Sequence, residues 1–206
     1  MTSVDRARAL LLSCVLFSSI PALAQAQDFG VMESAETINK GNFKVRANPM
    51  VLFGKDQDSE FGVALVAGYG FTSWFDVEGG VAIYDGRTFF GANAEFWLLR
   101  REPFDFSVSA GLHGEGGSNS RETTGMDVTF LPSKRITNKL DIYGALDLAF
   151  ESISDKLGGG SFQTAHLVPG VEYRAHPDLD IIVEFGIGLN ADARHYVSGG
   201  FAYYFR

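Results

Sequence analysis

From residue 42 to the end, large apolar residues fall at every second position over one stretch after another. In "LDIIVEFGIGLN", Leu179, Ile181, Val183, Phe185, Ile187 and Leu189 share one phase. Asp180, Glu184, Gly186, Gly188 and Asn190 share the other, and only Ile182 breaks the pattern. Successive side chains of a strand point to opposite faces, so a period of two predicts a two-sided β-strand. The same opening recurs at Phe75 ("FDVEGGVAI"), Phe104 ("FDFSVSAGL") and Leu140 ("LDIYGALDLAF"). "NFKVRANPMVLF" from Asn42 keeps the phase, with Lys44 in place of the aspartate. Each of these strands has a partner downstream, beginning at Phe61, Phe89, Gly125, Gln163 and Tyr196.

The connections alternate between two kinds. "TSW", "RREP", "ITNK" and "AHPD" are tight; "GKDQDSE", "EGGSNSRETT", "SISDKLGGGS" and "NADARH" are longer and polar, with "DGR" a short member of that set. A meander with tight turns on one rim and exposed loops on the other is an up-and-down antiparallel β-barrel, here of about ten strands, with eight or twelve as alternatives. Orientation follows from volume. About ten strands with roughly five large apolar residues each overfill the inside of so narrow a cylinder. Turned outward, those residues meet acyl chains, and the Gly, Ala, Ser and acidic face fills the interior. Segments of about 9–11 residues match a tilted strand crossing a bilayer. Phe43, Phe53, Phe61, Phe71, Phe75, Phe104, Tyr173 and Phe205 lie near strand ends, where rings bridge lipid and headgroups. Pro49, Pro132 and Pro169 lie inside strands on the outward phase; each is expected to remove a ladder hydrogen bond or to mark a bulge.

The chain carries a formal charge of −8 over 206 residues, which argues against a nucleic-acid partner. Residues 1–26 read as a secretory signal: Arg6 and Arg8, then an apolar run from Ala9 to Ile20, then "ALA" and "AQA" cleavage sites. Cys14, the single cysteine, falls inside it. Residues 27–41 are polar and short and read as a periplasmic lead, leaving residues 42–206 for the barrel.

The chain closes on "YVSGGFAYYFR". Val197, Gly199, Phe201, Tyr203 and Phe205 resemble the terminal strand of bacterial outer-membrane barrel proteins, of the small OmpA N-terminal, OmpX and opacity kind; Arg206 departs from that pattern by following the last aromatic. The resemblance implies an exported outer-membrane protein whose last strand, through Val197, Phe201, Tyr203 and Phe205, is the signal read by the barrel assembly machinery.

The inward phase gives the candidate chemistry. Lys44 and Arg46 on the first strand face Asp76, Glu78, Glu95, Asp147, Glu172 and Glu184 from others. Charges in a narrow lumen must be paired or solvated. They either seal the barrel or, given the excess of carboxylates and the Gly62, Gly68 and Gly70 face, line a narrow cation-preferring pore. The polar loops leave an adhesive role open. No cofactor, metal spacing or catalytic residue is expected: His195 and Ser198 project to opposite faces of one strand, and His113 and His166 have no partner fixed by spacing.

Overall fold

Two-sided strands bury neither face alone, and ten of them close the sheet upon itself. In a computed structural model, which describes residues 29–54, 57–84, 86–116, 121–155 and 160–206, the regular elements are ten strands. They are β1 (Phe43–Gly54), β2 (Gln57–Gly70), β3 (Phe75–Tyr84), β4 (Arg87–Arg101), β5 (Phe104–Gly116), β6 (Arg121–Thr137), β7 (Leu140–Asp155), β8 (Gly160–His176), β9 (Leu179–Gly188) and β10 (His195–Phe205). Every neighbour is antiparallel, and β10 pairs β1 from Phe43↔Phe205 to Phe53↔His195 to close the cylinder. The signal segment 1–26, with Cys14, lies outside the described residues.

Alternation sets the two surfaces. On β1, Phe43, Val45 and Pro49 are exposed while Lys44, Arg46, Asn48, Met50 and Leu52 are buried. Phe61, Ile83, Phe90, Leu112 and Phe201 are each more than half exposed on the outside. An apolar exterior this continuous is a surface built for lipid. At the rim of tight turns, rings touch in sequence: Phe43–Tyr69 at 4.7 Å, Tyr69–Phe71 at 4.9 Å, Phe71–Phe75 at 5.7 Å and Phe75–Phe96 at 4.8 Å between centroids.

At the turn rim, strands start where the repeated opening puts them, at Phe75, Phe104, Leu140 and Leu179. At the loop rim they run further than expected. β6 begins at Arg121 and β8 at Gly160, so much of "EGGSNSRETT" and "SISDKLGGGS" is strand, held by pairs such as Thr124↔Ser152 and Ser152↔Ser161. Backbone pairing needs no apolar face, so hairpins continue above the belt that the hydrophobic period marks. Residues 117–120 and 156–159 of these stretches lie outside the described residues.

The prolines do not mark bulges. The register shifts lie elsewhere, at Leu52/Gly54, Trp97/Leu99, Arg135/Thr137 and Arg174/His176. Each proline pairs on one side, with Val63, Phe106 and Gly144 respectively. On its other side the ladder skips two residues and resumes unchanged, from Ala47↔Phe201 to Met50↔Ser198 beside Pro49, for example. A missing N–H interrupts one ladder locally, and the intact opposite side holds the register.

Candidate functional site

Residues 29–38 of the segment expected as a periplasmic lead lie inside the barrel. Val31, Met32, Glu33, Ser34, Ala35, Thr37 and Ile38 are all buried. The reason lies in its backbone. An extended segment carries unpaired N–H groups, and the lumen carries more carboxylates than cations. Val31 and Met32 donate to Glu184 Oε1 and Oε2 at 2.9 and 2.6 Å. Ser34 donates to Glu172 at 2.9 Å, Ala35 to Ser133 Oγ at 3.2 Å and Ile38 to Asp76 at 2.5 Å. Inward acids on β9, β8 and β3 thus bind one peptide backbone by charge-assisted hydrogen bonds. The chain then leaves at the turn rim, where the Gly41 N–H meets the Gly70 carbonyl at 2.8 Å.

Side chains lock the same segment. Lys44 Nζ lies 2.7 Å from Glu33 and 2.5 Å from Glu78, and Arg46 reaches Glu78 at 3.5 Å and the Val31 carbonyl at 2.7 Å. Glu33 belongs to the inserted segment rather than to a spanning strand; burial pushes its carboxyl above the ordinary value, and Lys44 draws it back. Apolar contact completes the socket. Met50, Leu52, Val168 and Ile182 join Val31, Met32 and Ala35 in one buried cluster. Ile182, the residue that broke the alternation of β9, therefore has a lumenal role.

Glu184 is the centre of this arrangement. Besides the two amides it accepts the hydroxyls of Tyr143 at 2.7 Å and Tyr196 at 3.0 Å. Each ring lies over a glycine on the adjacent strand, Tyr143 over Gly170 and Tyr196 over Gly186, where a Cβ would collide with the ring. Neither Glu33 nor Tyr143 is among the site residues expected from the alternation. Glu33 sat outside the periodic region, and the Tyr–Gly pairs become visible only with strand register.

All eight residues of the expected charge network face inward and are buried. The structure divides them. Lys44, Arg46 and Glu78 form one ionic group with Glu33. Asp76 and Glu95 oppose one another across β3 and β4. Glu172 and Glu184 hold the inserted backbone. Asp147 belongs to a separate group, accepting from Thr129 at 2.9 Å and lying 3.9 Å from His166. His113, which no spacing tied to a partner, is bracketed by Asp127 at 3.2 Å and Glu151 at 3.7 Å. These partners come from other strands and so leave no local sequence signal.

The repeated opening also acquires a meaning. Asp76, Asp105, Asp141 and Asp180 occupy the second position of β3, β5, β7 and β9, and all four are buried around the turn-rim mouth. Each has its own donor or cation: the Ile38 amide at 2.5 Å, the Trp97 indole at 3.2 Å, Arg135 at 3.3 Å and Arg174 at 3.5 Å. At the loop rim, Arg194 reaches under the β9–β10 connection to Glu60 at 2.6 Å and to the carbonyl of Asp58 at 2.6 Å. Between these ends a cavity of about 60 Å³ persists, bounded by Phe29, Val31, Asn93, His113, Asp127 and Asp147. It has room for a few waters. Among the described residues no cluster of His, Cys, Asp and Glu is arranged to hold a metal. His195 and Ser198 are engaged separately, His195 accepting the Gly188 N–H at 3.1 Å and Ser198 donating to the Pro49 carbonyl at 3.0 Å.

Solved outer-membrane barrels share this fold. The COG4313 outer membrane channel from Pseudomonas putida F1 superposes with a TM-score of 0.58 at 7% identity, over 83% of this chain and 98% of that one. The KdgM porin gives 0.45 at 12% identity, over 79% and 99%. Ail, the attachment invasion locus protein of Yersinia pestis, in complex with a heparin analogue, gives 0.39 at 15%, over 81% and 99%. At 7% identity the Pseudomonas putida channel shows a shared β-barrel fold. No family model and no curated relative matches the sequence.

Proposed function

We propose that this chain is an exported, integral outer-membrane barrel that stands closed, its lumen stoppered by residues 29–41, and that it becomes a narrow cation-preferring pore when that segment leaves. The carrying observation is the set of backbone amides of Val31, Met32, Ser34 and Ile38 bound to lumenal carboxylates. A lumen stripped of this segment would present Glu184, Glu172 and Asp76 to water, against the cations Lys44 and Arg46. The lipid-facing exterior supports the membrane setting. The closing strand supports assembly by the barrel machinery: Val197, Phe201, Tyr203 and Phe205 all face outward, as in the small OmpA, OmpX and opacity barrels that it resembles.

The test is planar-bilayer recording on the refolded full chain and on a variant lacking residues 29–38. The full chain should be silent, and the variant should give small cation-selective steps. Silence in a variant that still shows heat-modifiable migration leaves a purely structural barrel, and anion-selective steps overturn the cation preference. A non-catalytic role is part of this reading, supported by the separate engagement of His195 and Ser198. The adhesive alternative rested on loops that, where described, are strand.

A further inference from the structure

The charge at the turn rim is not compensated within the chain. Lys40, Arg100, Arg101, Lys134 and Lys139 all lie at this rim, beside β1, at the end of β4 and across β6 and the β6–β7 turn. Among the described residues none of them has a carboxylate within ion-pair distance. The acids exposed there are already engaged: Glu36 by Arg135 and Arg174, Glu102 by Arg135, Asp178 by Arg206. Asp105, opposite Arg100 in register, accepts the Trp97 indole. The loop rim differs, since its described arginines Arg87 and Arg194 both close on Glu60. Arg100 instead donates to the Ser73 carbonyl at 3.0 Å; in a chain of net charge −8, the other four cations, with no carboxylate partner among the described residues, are a directed feature of this rim.

Their surroundings identify the level at which they sit. The Lys134 ammonium lies 5.0 Å over the ring of Phe104, its cross-strand partner, and that ring is 54% exposed on the lipid side. Exposed Leu99 precedes Arg100, and exposed Ile136 follows Arg135. Arg101, Lys134 and Lys139 therefore end the apolar belt on the β4–β7 arc, as basic side chains do at headgroup depth, whereas Arg100 turns inward over the Trp97 ring at 3.8 Å.

We propose that this basic arc is a docking surface for the phosphate groups of anionic phospholipids in the adjoining leaflet. The inference rests on the membrane-spanning reading. Lipid is the occupant because the Lys134 ammonium stands over the lipid-facing Phe104 ring, and because a bilayer presents phosphates at that height around the circumference.

The experiment is native mass spectrometry of the refolded full chain released from vesicles of equal phosphatidylglycerol and phosphatidylcholine, beside a variant in which Arg101, Lys134 and Lys139 are all changed to Gln. Wild type should retain phosphatidylglycerol with roughly fivefold or greater preference, the equivalent of one cation held at a charged surface. The variant should fall to parity. Parity in wild type, or an undiminished preference in the variant, overturns the proposal. So does capture of inorganic phosphate with no phosphatidylglycerol carried over, which would make the arc a site for the free anion. Heat-modifiable migration and insertion into pure phosphatidylcholine vesicles report the membrane-spanning reading separately, and both should be the same for the two proteins.

Discussion

Met32 and Glu184 stand 152 positions apart and meet inside the barrel, the Met32 N–H donating to Glu184 Oε2 at 2.6 Å. The other oxygen takes the Val31 N–H, and two tyrosine hydroxyls complete the carboxylate. One buried acid thus fastens a segment that precedes the barrel to a strand two places round the sheet from β1, where that segment joins it.

Glu184→Ala should release the inserted segment before it unfolds the barrel. The change leaves two tyrosine hydroxyls and two amides without their acceptor, a loss of about 3 kcal/mol. The readout is thiol labelling of Ser34→Cys, a position 2% exposed. Cys14 is the single native cysteine and belongs to the segment expected to be removed on export. Labelling by a water-soluble maleimide should be slow in the Ser34→Cys protein and at least about tenfold faster with Glu184→Ala added, the rate tracking local opening. Equal rates would mean that Glu184 does not hold the segment.

Lys44→Met should be among the most damaging single changes. It strands Glu33 and Glu78, both buried, beside the one remaining cation Arg46. Removing one partner of a buried ion pair costs about 3–5 kcal/mol. Adding Glu33→Gln should restore part of this, which denaturant unfolding in detergent micelles can measure as a coupling energy. Strict additivity of the two changes would contradict the contact.

Gly186→Ala should destabilise the barrel by about 1–3 kcal/mol, because the new methyl group occupies the space of the Tyr196 ring. Gly144→Ala makes a control: a Cβ there meets nothing within 4 Å. Thermal unfolding followed by heat-modifiable migration should separate the two variants, with Gly144→Ala close to wild type.

Phe205→Ser should reduce the amount of barrel assembled in cells several-fold while leaving refolding into detergent nearly intact. Phe205 is 52% exposed and packs mainly against Tyr203, at 4.9 Å between ring centroids. It has little to contribute to the finished barrel's interior. Equal loss in both assays would make it a structural residue rather than an assembly signal.

The period of two by itself determined that the chain forms a meander of two-sided strands, and residue volume determined which face turns outward. Both are local properties: a strand's alternation is written in consecutive residues, and Phe, Leu and Ile cannot all fit within a narrow cylinder. For the same reason the buried positions of Lys44, Asp76, Glu95 and Glu184 were legible strand by strand. Their partners were not. Whether Glu184 meets a cation, a water or an amide depends on register, on the shape of the lumen and on a segment with no periodicity of its own, residues 29–41. Only the closed barrel brings Met32 to Glu184 and Tyr196 over Gly186, because hydrogen-bonded acceptors and steric sockets are made between strands, and a sequence read along one strand carries no distance to the next.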